Sequence, residues 1–496
     1  MTVRNISLFA LFMLGAVVSF AAIRLPAQYG HHMVIQQNTK AFFRGWATPG
    51  KTVTMQASWA ACKQSTRAAA DGSWSLWVPT PAADGKAHSI RFSDGQELTL
   101  MNIVLGEVWL CAGQSNMEMP MKGFKNQPVE GSNMEILKSS YPSIRLFTVK
   151  RNSTIAPQTD INGQWQEADP ETVREFSATA WYFGKLIHQL VDVPVGLVVS
   201  AWGGSSVEAW MSKDMLSGFP EVKIPENEQA IIEKNRTPTT LYNAMVQPLT
   251  GFPVRGIIWY QGETNYDRAH SYTAMLTTMV EGWRKAWRIT PEMPAKAGKG
   301  AGTTHEPGGG DVLPFYYCQI APYDYSLITP PGQPVINSAY LREAQLNASK
   351  SIPSSGMAVL LDAGQQEGIH PPCKQLAGER LALLALAKTY GMKGFASESP
   401  EYKSMEISND TLIVSFDKAD MWLTAPGGES KLFTVAGADR VFYPARAWIV
   451  RSKVYVHSEQ VKRPVAVRYA FGNYVKGDLT GTEGLPVSSF RSDDWE

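Results

Sequence analysis

Five runs of almost unbroken apolar residues constrain this chain more than any other feature: "IVLGEVWLCAG" (103–113), "VPVGLVVSAW" (193–202), "VRGIIWYQGE" (254–263), "PFYYCQIAPY" (314–323) and "MAVLLDAG" (357–364). Amphipathic stretches of helical length, "TAWYFGKLIHQLV", "YTAMLTTMVEGWRKAW" and "LAGERLALLALAKTYG", lie between and after them. A strand that is apolar at nearly every position has to be covered on both faces, and strands joined through helices run parallel. The pattern predicts an α/β domain over 102–395: a parallel sheet with helices on both faces.

The flanks read differently. From 23 to 101 the chain is a series of short β-type runs ("MVIQQ", "DGSWSLWVPT", "AHSIRFSDGQELTL") with Gly, Pro and Asp between them, which predicts a small antiparallel β domain. From 396 to 496 short strands return ("TLIVSFDKAD", "KLFTVAG", "KVYVHS", "PVAVRYAF"), a second β-rich domain of sandwich type. At 496 residues the chain exceeds a single ordinary core, so several domains are expected. The Gly- and Pro-containing stretch 294–311 reads as a surface loop.

Residues 1–22 have the layout of an export signal: Arg4, then the apolar "ISLFALFMLGAVVSF", then small residues near Ala21 and Ala22. The run is shorter than the ~20 residues a span requires, so no stable membrane insertion of the mature chain is expected. The protein is expected in the periplasm or outside the cell. Lys and Arg total 46 against 45 Asp and Glu, and this even balance argues against a nucleic-acid partner. The four cysteines are scattered; Cys111 and Cys318, inside apolar runs, are expected as free buried thiols. No Cys or His pair has zinc-ligand spacing, and no metal or organic cofactor is expected.

Ligand sites in an open parallel sheet gather at the carboxyl ends of the strands. The polar residues found there are Ser115 after the first run, Gly203 and Gly204 after the second, Asn265 after the third and His370 after the last. Acyl transfer through serine needs a base and donors aimed at the developing oxyanion. Backbone N–H of Ser115, backbone N–H at Gly204 or its neighbour, and the Asn265 amide can supply the donors. Among eight histidines only His370 lies in a short polar loop between a strand and a helix with a carboxylate, Glu367, three residues before it; Asp362 is the competing acid. Each residue also has a bland reading as turn, cap or core, and it is their joint occurrence that points to catalysis. No G-x-S-x-G elbow surrounds Ser115, against an α/β-hydrolase.

Ser115 in "GQSN", the glycine of "WGG", Asn265 in "YQGETN" and His370 in "EGIHP" together resemble the four blocks of the SGNH hydrolases, flavodoxin-like esterases, and within them the sialate O-acetylesterase group of carbohydrate esterases. "GEVWLCAGQSNMEMPM", "LYNAMVQPLTGFPVRGIIWYQGETN" and the tail "EGLPVSSFRSDDW" carry the likeness along most of the mature chain. The resemblance implies Ser115 as nucleophile, His370 as base, Glu367 or Asp362 as acid, an oxyanion hole of Ser115, Gly204 and Asn265, and an O-acetylated sialic acid as substrate. It departs from the family pattern at Glu367, where an aspartate is usual. Arg342 in "LREAQ" is a candidate for the sugar carboxylate, with Gln114 and Gln261 as further substrate contacts. Trp202, Trp210, Trp259 and Tyr260 could offer stacking faces. An esterase for another acetylated carbohydrate such as xylan, or a carbohydrate-binding protein with a silent centre, are the competing readings.

Overall fold

The structure is a computed structural model that describes residues 23–288 and 312–495. The expected export signal and the loop 294–311 lie outside the described residues.

Six short strands open the chain: β1 (Val34–Gln36), β2 (Thr39–Trp46), β3 (Thr52–Ala57), β4 (Gln64–Arg67), β5 (Ser73–Thr80) and β6 (His88–Ser93). They lead into the long strand β7 (Glu97–Gly113), followed by β8 (Tyr141–Thr148), β9 (Trp165–Ala168), helix α1 (Ala178–Val191) and β10 (Val195–Ala201). Next come β11 (Gly256–Tyr260), α2 (Ala269–Trp287), β12 (Phe315–Cys318), α3 (Ala339–Ser351), β13 (Ser355–Ala358) and α4 (Lys374–Lys388). The central order is β13-β12-β11-β7-β10-β8-β9, parallel throughout except for β9 at one edge.

The apolar runs are continuous because side chains alternate between two cores. Trp109, Cys111, Leu197, Val199, Ile258, Tyr260, Tyr316 and Cys318 face a cluster with Trp181 and Phe183 of α1 and Leu381 and Leu384 of α4. Val108, Leu110, Val198, Ile257, Trp259, Phe315 and Tyr317 face the opposite cluster, with Tyr272, Leu276 and Trp283 of α2 and Leu341 of α3. Both faces are thus covered, as the pattern predicts. Trp109 is fully buried, edge-on to Phe183 with ring centroids 5.0 Å apart, and its truncation to alanine would cost about 3–5 kcal/mol. Helix α1 starts where Ser177 accepts a hydrogen bond from the Ala180 N–H and stops at Asp192, whose φ is 57°.

The strands of the five apolar runs take the flavodoxin-like order: β10-β7-β11-β12-β13 places the second run beside the first, and the third, fourth and fifth in turn on its other side, while β8 and β9 extend the sheet beyond β10. One expectation is modified: β7 runs through the boundary expected at 101/102. Its first half pairs antiparallel with β6, and its second half pairs parallel with β1, β10 and β11. The N-terminal strands are therefore continuous with the central sheet.

The C-terminal region forms further antiparallel sheets, one of five strands that includes Glu401–Ser408, Thr411–Asp417 and Lys453–His457, and one of four strands that includes Phe433–Ala436 and Ala466–Tyr469. All four cysteines are free, with Cys111 and Cys318 buried as expected. No helix among the described residues is long and apolar enough to cross a membrane.

Candidate active site

Strand β7 lies between β10 and β11, where the chain switches from one side of the sheet to the other, and its carboxyl end is the place such a sheet offers for a ligand. Gly113 ends the strand with φ 143°; a Cβ there would come within 2.1 Å of the Tyr260 carbonyl oxygen, so glycine is what lets β7 and β11 meet. The Gln114 N–H donates to that same oxygen at 2.9 Å, and a one-turn helix, Ser115–Glu118, begins immediately. The N–H groups of Met117 and Glu118 close this turn on the Gln114 carbonyl. The Ser115 N–H is left unpaired among the described residues.

The loop after β10 lies against this turn. A Cβ on Gly203 would sit 3.4 Å from that of Ser115, and the Gly203 N–H donates to Glu118 Oε2 at 2.7 Å. Gly204, at φ 69°, keeps its own N–H unpaired among the described residues, while the carbonyl oxygens of Gly203 and Gly204 accept from Asn235 Nδ2 at 2.7 Å and Arg236 Nε at 3.2 Å.

His370 lines the same cavity, of about 1020 Å³, as Ser115, Gly203 and Gly204. Phe124 meets the imidazole edge-on at 5.3 Å between centroids, and Nδ1 hydrogen-bonds the side-chain oxygen Oε1 of Gln127. An amide oxygen only accepts, so Nδ1 carries the proton and Nε2 is the lone-pair nitrogen. Burial, reinforced by the Lys374 ammonium, holds this imidazole down to about 4.

Neither expected acid meets the ring. Asp362 is held in a two-pronged ion pair by Arg380, with Nη1–Oδ1 and Nη2–Oδ2 both 2.6 Å. Glu367 is solvent-exposed and makes no hydrogen bond or ion pair with any described residue. The loop 364–368, polar between its two terminal glycines, carries the Glu367 side chain outward, and the imidazole takes Gln127 from the loop 119–130 instead.

Asn265 is buried and absent from the cavity wall: its Oδ1 accepts from Val207 N–H at 3.0 Å and Gln261 Nε2 at 2.8 Å, and its Nδ2 donates to Glu208 at 3.1 Å. Gln261, expected to contact substrate, is a buried brace between Ser205 O, Asn265 and the Tyr272 hydroxyl. Gln114 does line the cavity, although its Oε1 is occupied by the Gly262 N–H at 3.1 Å.

Arg342 is not at the site. It is fully buried where α3 meets the C-terminal region, donating to Ser489 Oγ at 3.0 Å, Ser338 Oγ at 3.3 Å and the carbonyls of Gly472 and Asn473. A motif-borne arginine read as a carboxylate ligand is a joint between two parts of the fold. Trp210 and Trp259 are likewise core, packed edge-on at 6.0 Å.

A polar cluster that sequence reasoning missed lies behind the serine. Asn116 Oδ1 accepts from Lys374 Nζ, and its Nδ2 donates to Glu263 Oε1 at 2.5 Å and to the Ile369 carbonyl at 3.1 Å. Only position hinted at it: Asn116 follows Ser115, Glu263 lies within "GETN", and Lys374 comes four residues after His370.

Comparison with known proteins agrees with this arrangement. The family description "carbohydrate esterase, sialic acid-specific acetylesterase" matches residues 105–302. A solved carbohydrate acetylesterase from Xanthomonas citri superposes with a TM-score of 0.82 at 32% identity, covering 96% of this chain and 100% of that one. The chain belongs to this family of carbohydrate esterases. It is a carboxylic ester hydrolase. The esterase is also 27% identical over 448 residues to the sialate O-acetylesterase of Mus musculus (80% of this chain, 79% of that one) and 27% identical over 412 residues to that of Homo sapiens (77% and 74%).

Proposed function

We propose that this protein is an exported serine esterase that removes O-acetyl groups from sialic acids through an acetyl-enzyme. The reading is carried by one observation: Ser115 and His370 line one cavity, with the Ser115 and Gly204 N–H groups unpaired among the described residues beside the serine. Ser115 Oγ attacks the acetyl carbonyl while its proton passes to Nε2 of His370. The two N–H groups hold the oxyanion; Asn265 acts behind them by fixing Val207 and Glu208 rather than as a third donor. Collapse of the intermediate breaks the bond to the sugar oxygen, which takes the proton from His370 and leaves as the free hydroxyl. Water then attacks the acetyl-serine, giving its proton to the same nitrogen, and acetate departs with Ser115 restored. Export rests on residues 1–22 of the sequence, and the final location would be periplasmic or extracellular.

For the sialic acid carboxylate, Lys223 and Arg236 on the cavity wall replace Arg342: Lys223 has no partner among the described residues, and Arg236 has a 3.2 Å hydrogen bond from Nε to the Gly204 carbonyl and a loose 3.5 Å pair with Glu233. The mouse and human relatives support sialate as substrate. A neutral acetylated sugar, such as a xylan unit, is the second reading, because the wall carries the carboxylates Glu118, Glu208, Glu221, Glu233, Glu263 and Asp267 against the cations Arg151, Lys223, Arg236 and Arg268. Acetate release from 9-O-acetyl sialic acid and from acetyl-xylan, measured side by side, separates them. A strong preference for xylan would overturn the sialate reading.

A further inference from the structure

Asn116, Glu263 and Lys374 form a buried ionisable cluster that the steps above do not use. Lys374 is 1% exposed and stands at the first position of α4, where the positive end of the helix disfavours a cation. Glu263 is 4% exposed, and its Oε2 has no hydrogen-bond partner among the described residues. Burying two ionisable groups this way costs several kcal/mol, so packing alone is a poor reason for them.

Their placement supplies a reason. Asn116 is the residue after Ser115, and Ile369 is the residue before His370; the Asn116 side chain binds the Ile369 carbonyl on one side and Lys374 on the other. A single amide thereby ties the turn of the nucleophile to the loop of the base.

We propose that Lys374 is a positioning residue of the esterase reaction: through Asn116 its ammonium clamps the His370 loop to the Ser115 turn, and its charge keeps the imidazole in the neutral, proton-accepting form. This rests on the Ser115–His370 reading above. The charged groups around the ring leave Lys374 as the cation that opposes its protonation. The loop 119–130 presents the uncharged Phe124 and Gln127, with Glu130 turned to Cys373, Lys122 paired with Glu175 and Lys125 exposed. The Ser115 turn brings Glu118, already paired with Arg151. The loop after β11 brings Glu263, bound to Asn116, and the ring's own loop carries only the exposed Glu367. Burial pulls the lysine down to about 7, so it gains its proton as the pH falls through the range where an ordinary imidazole would begin to charge.

The test is the pH dependence of kcat/KM for p-nitrophenyl acetate in Lys374→Met and in Lys374→Gln, which keeps a donor for Asn116 but no charge. Rates are normalised to active sites counted with a serine-directed organophosphonate, which removes any contribution from misfolded protein. In both variants the acid limb moves up by roughly half a pH unit or more, kcat falls about tenfold, and KM changes by less than about threefold. An acid limb that stays in place in both, with losses matching the drop in counted sites, overturns the proposal and leaves Lys374 as packing. Ser115→Ala in the same series separates the two levels: hydrolysis surviving that change would refute the underlying mechanism rather than the role of Lys374.

Discussion

The imidazole of His370 is anchored through Nδ1 by the side-chain amide of Gln127, not by a carboxylate. The amide fixes the tautomer that leaves Nε2 as acceptor, which is one of the two tasks of a triad acid. It cannot perform the other, stabilising the imidazolium by charge.

Replacing Gln127 should therefore separate the two tasks. Gln127→Ala frees the ring to rotate and lowers kcat by at least about tenfold. Gln127→Glu puts an anion at Nδ1, which favours the protonated ring, so the acid limb of kcat/KM moves to higher pH. Steady-state kinetics from about pH 4 to about pH 8 reads both.

The unmodified esterase should stay active in acid. With His370 held near about 4, the base remains unprotonated as pH falls through about 6 and about 5, and kcat/KM drops only as the pH approaches that value. A pH–rate profile that falls by half near about 6.5, the ordinary imidazole value, would show that neither burial nor Lys374 acts on the ring.

The two carboxylates that the sequence offers as acids should behave differently from triad members. Glu367→Gln is expected to leave kcat within about twofold of wild type, since no described residue engages it. Asp362→Asn strands Arg380, itself only 6% exposed, and should cost about 2 kcal/mol or more in denaturant unfolding while the folded fraction keeps its kcat.

Much of the frame is legible in the sequence. Trp109, Cys111 and their neighbours face two cores in turn, and that double burial is what the unbroken apolar runs express. Ser115 and His370 are legible because strand ends are where a parallel sheet exposes polar groups. Gln127 is not, because it meets His370 only through folding of a loop 243 residues away whose spacing carries no period. Asp362 and Arg342 mislead for one reason: a charged residue in or beside a motif says nothing about whether its partner is substrate or another part of the fold, and here the partners are Arg380 and the C-terminal region.

Arg342→Met tests that reassignment. Loss of its hydrogen bonds to Ser489, Ser338 and two carbonyls should destabilise the protein by about 2–4 kcal/mol, seen as a lower Tm. The ratio of KM values for anionic and neutral acetylated sugars should not change; a selective rise for the anionic sugar would return Arg342 to the substrate site.

The central claim, that Ser115 carries the acetyl group, is tested most directly by acid-quenching the protein during turnover and mapping the modified peptide by mass spectrometry. The account predicts one added acetyl group on the peptide containing Ser115, absent in Ser115→Ala, which releases no acetate. An acetyl group found on another residue, or undiminished acetate release by Ser115→Ala, would contradict it.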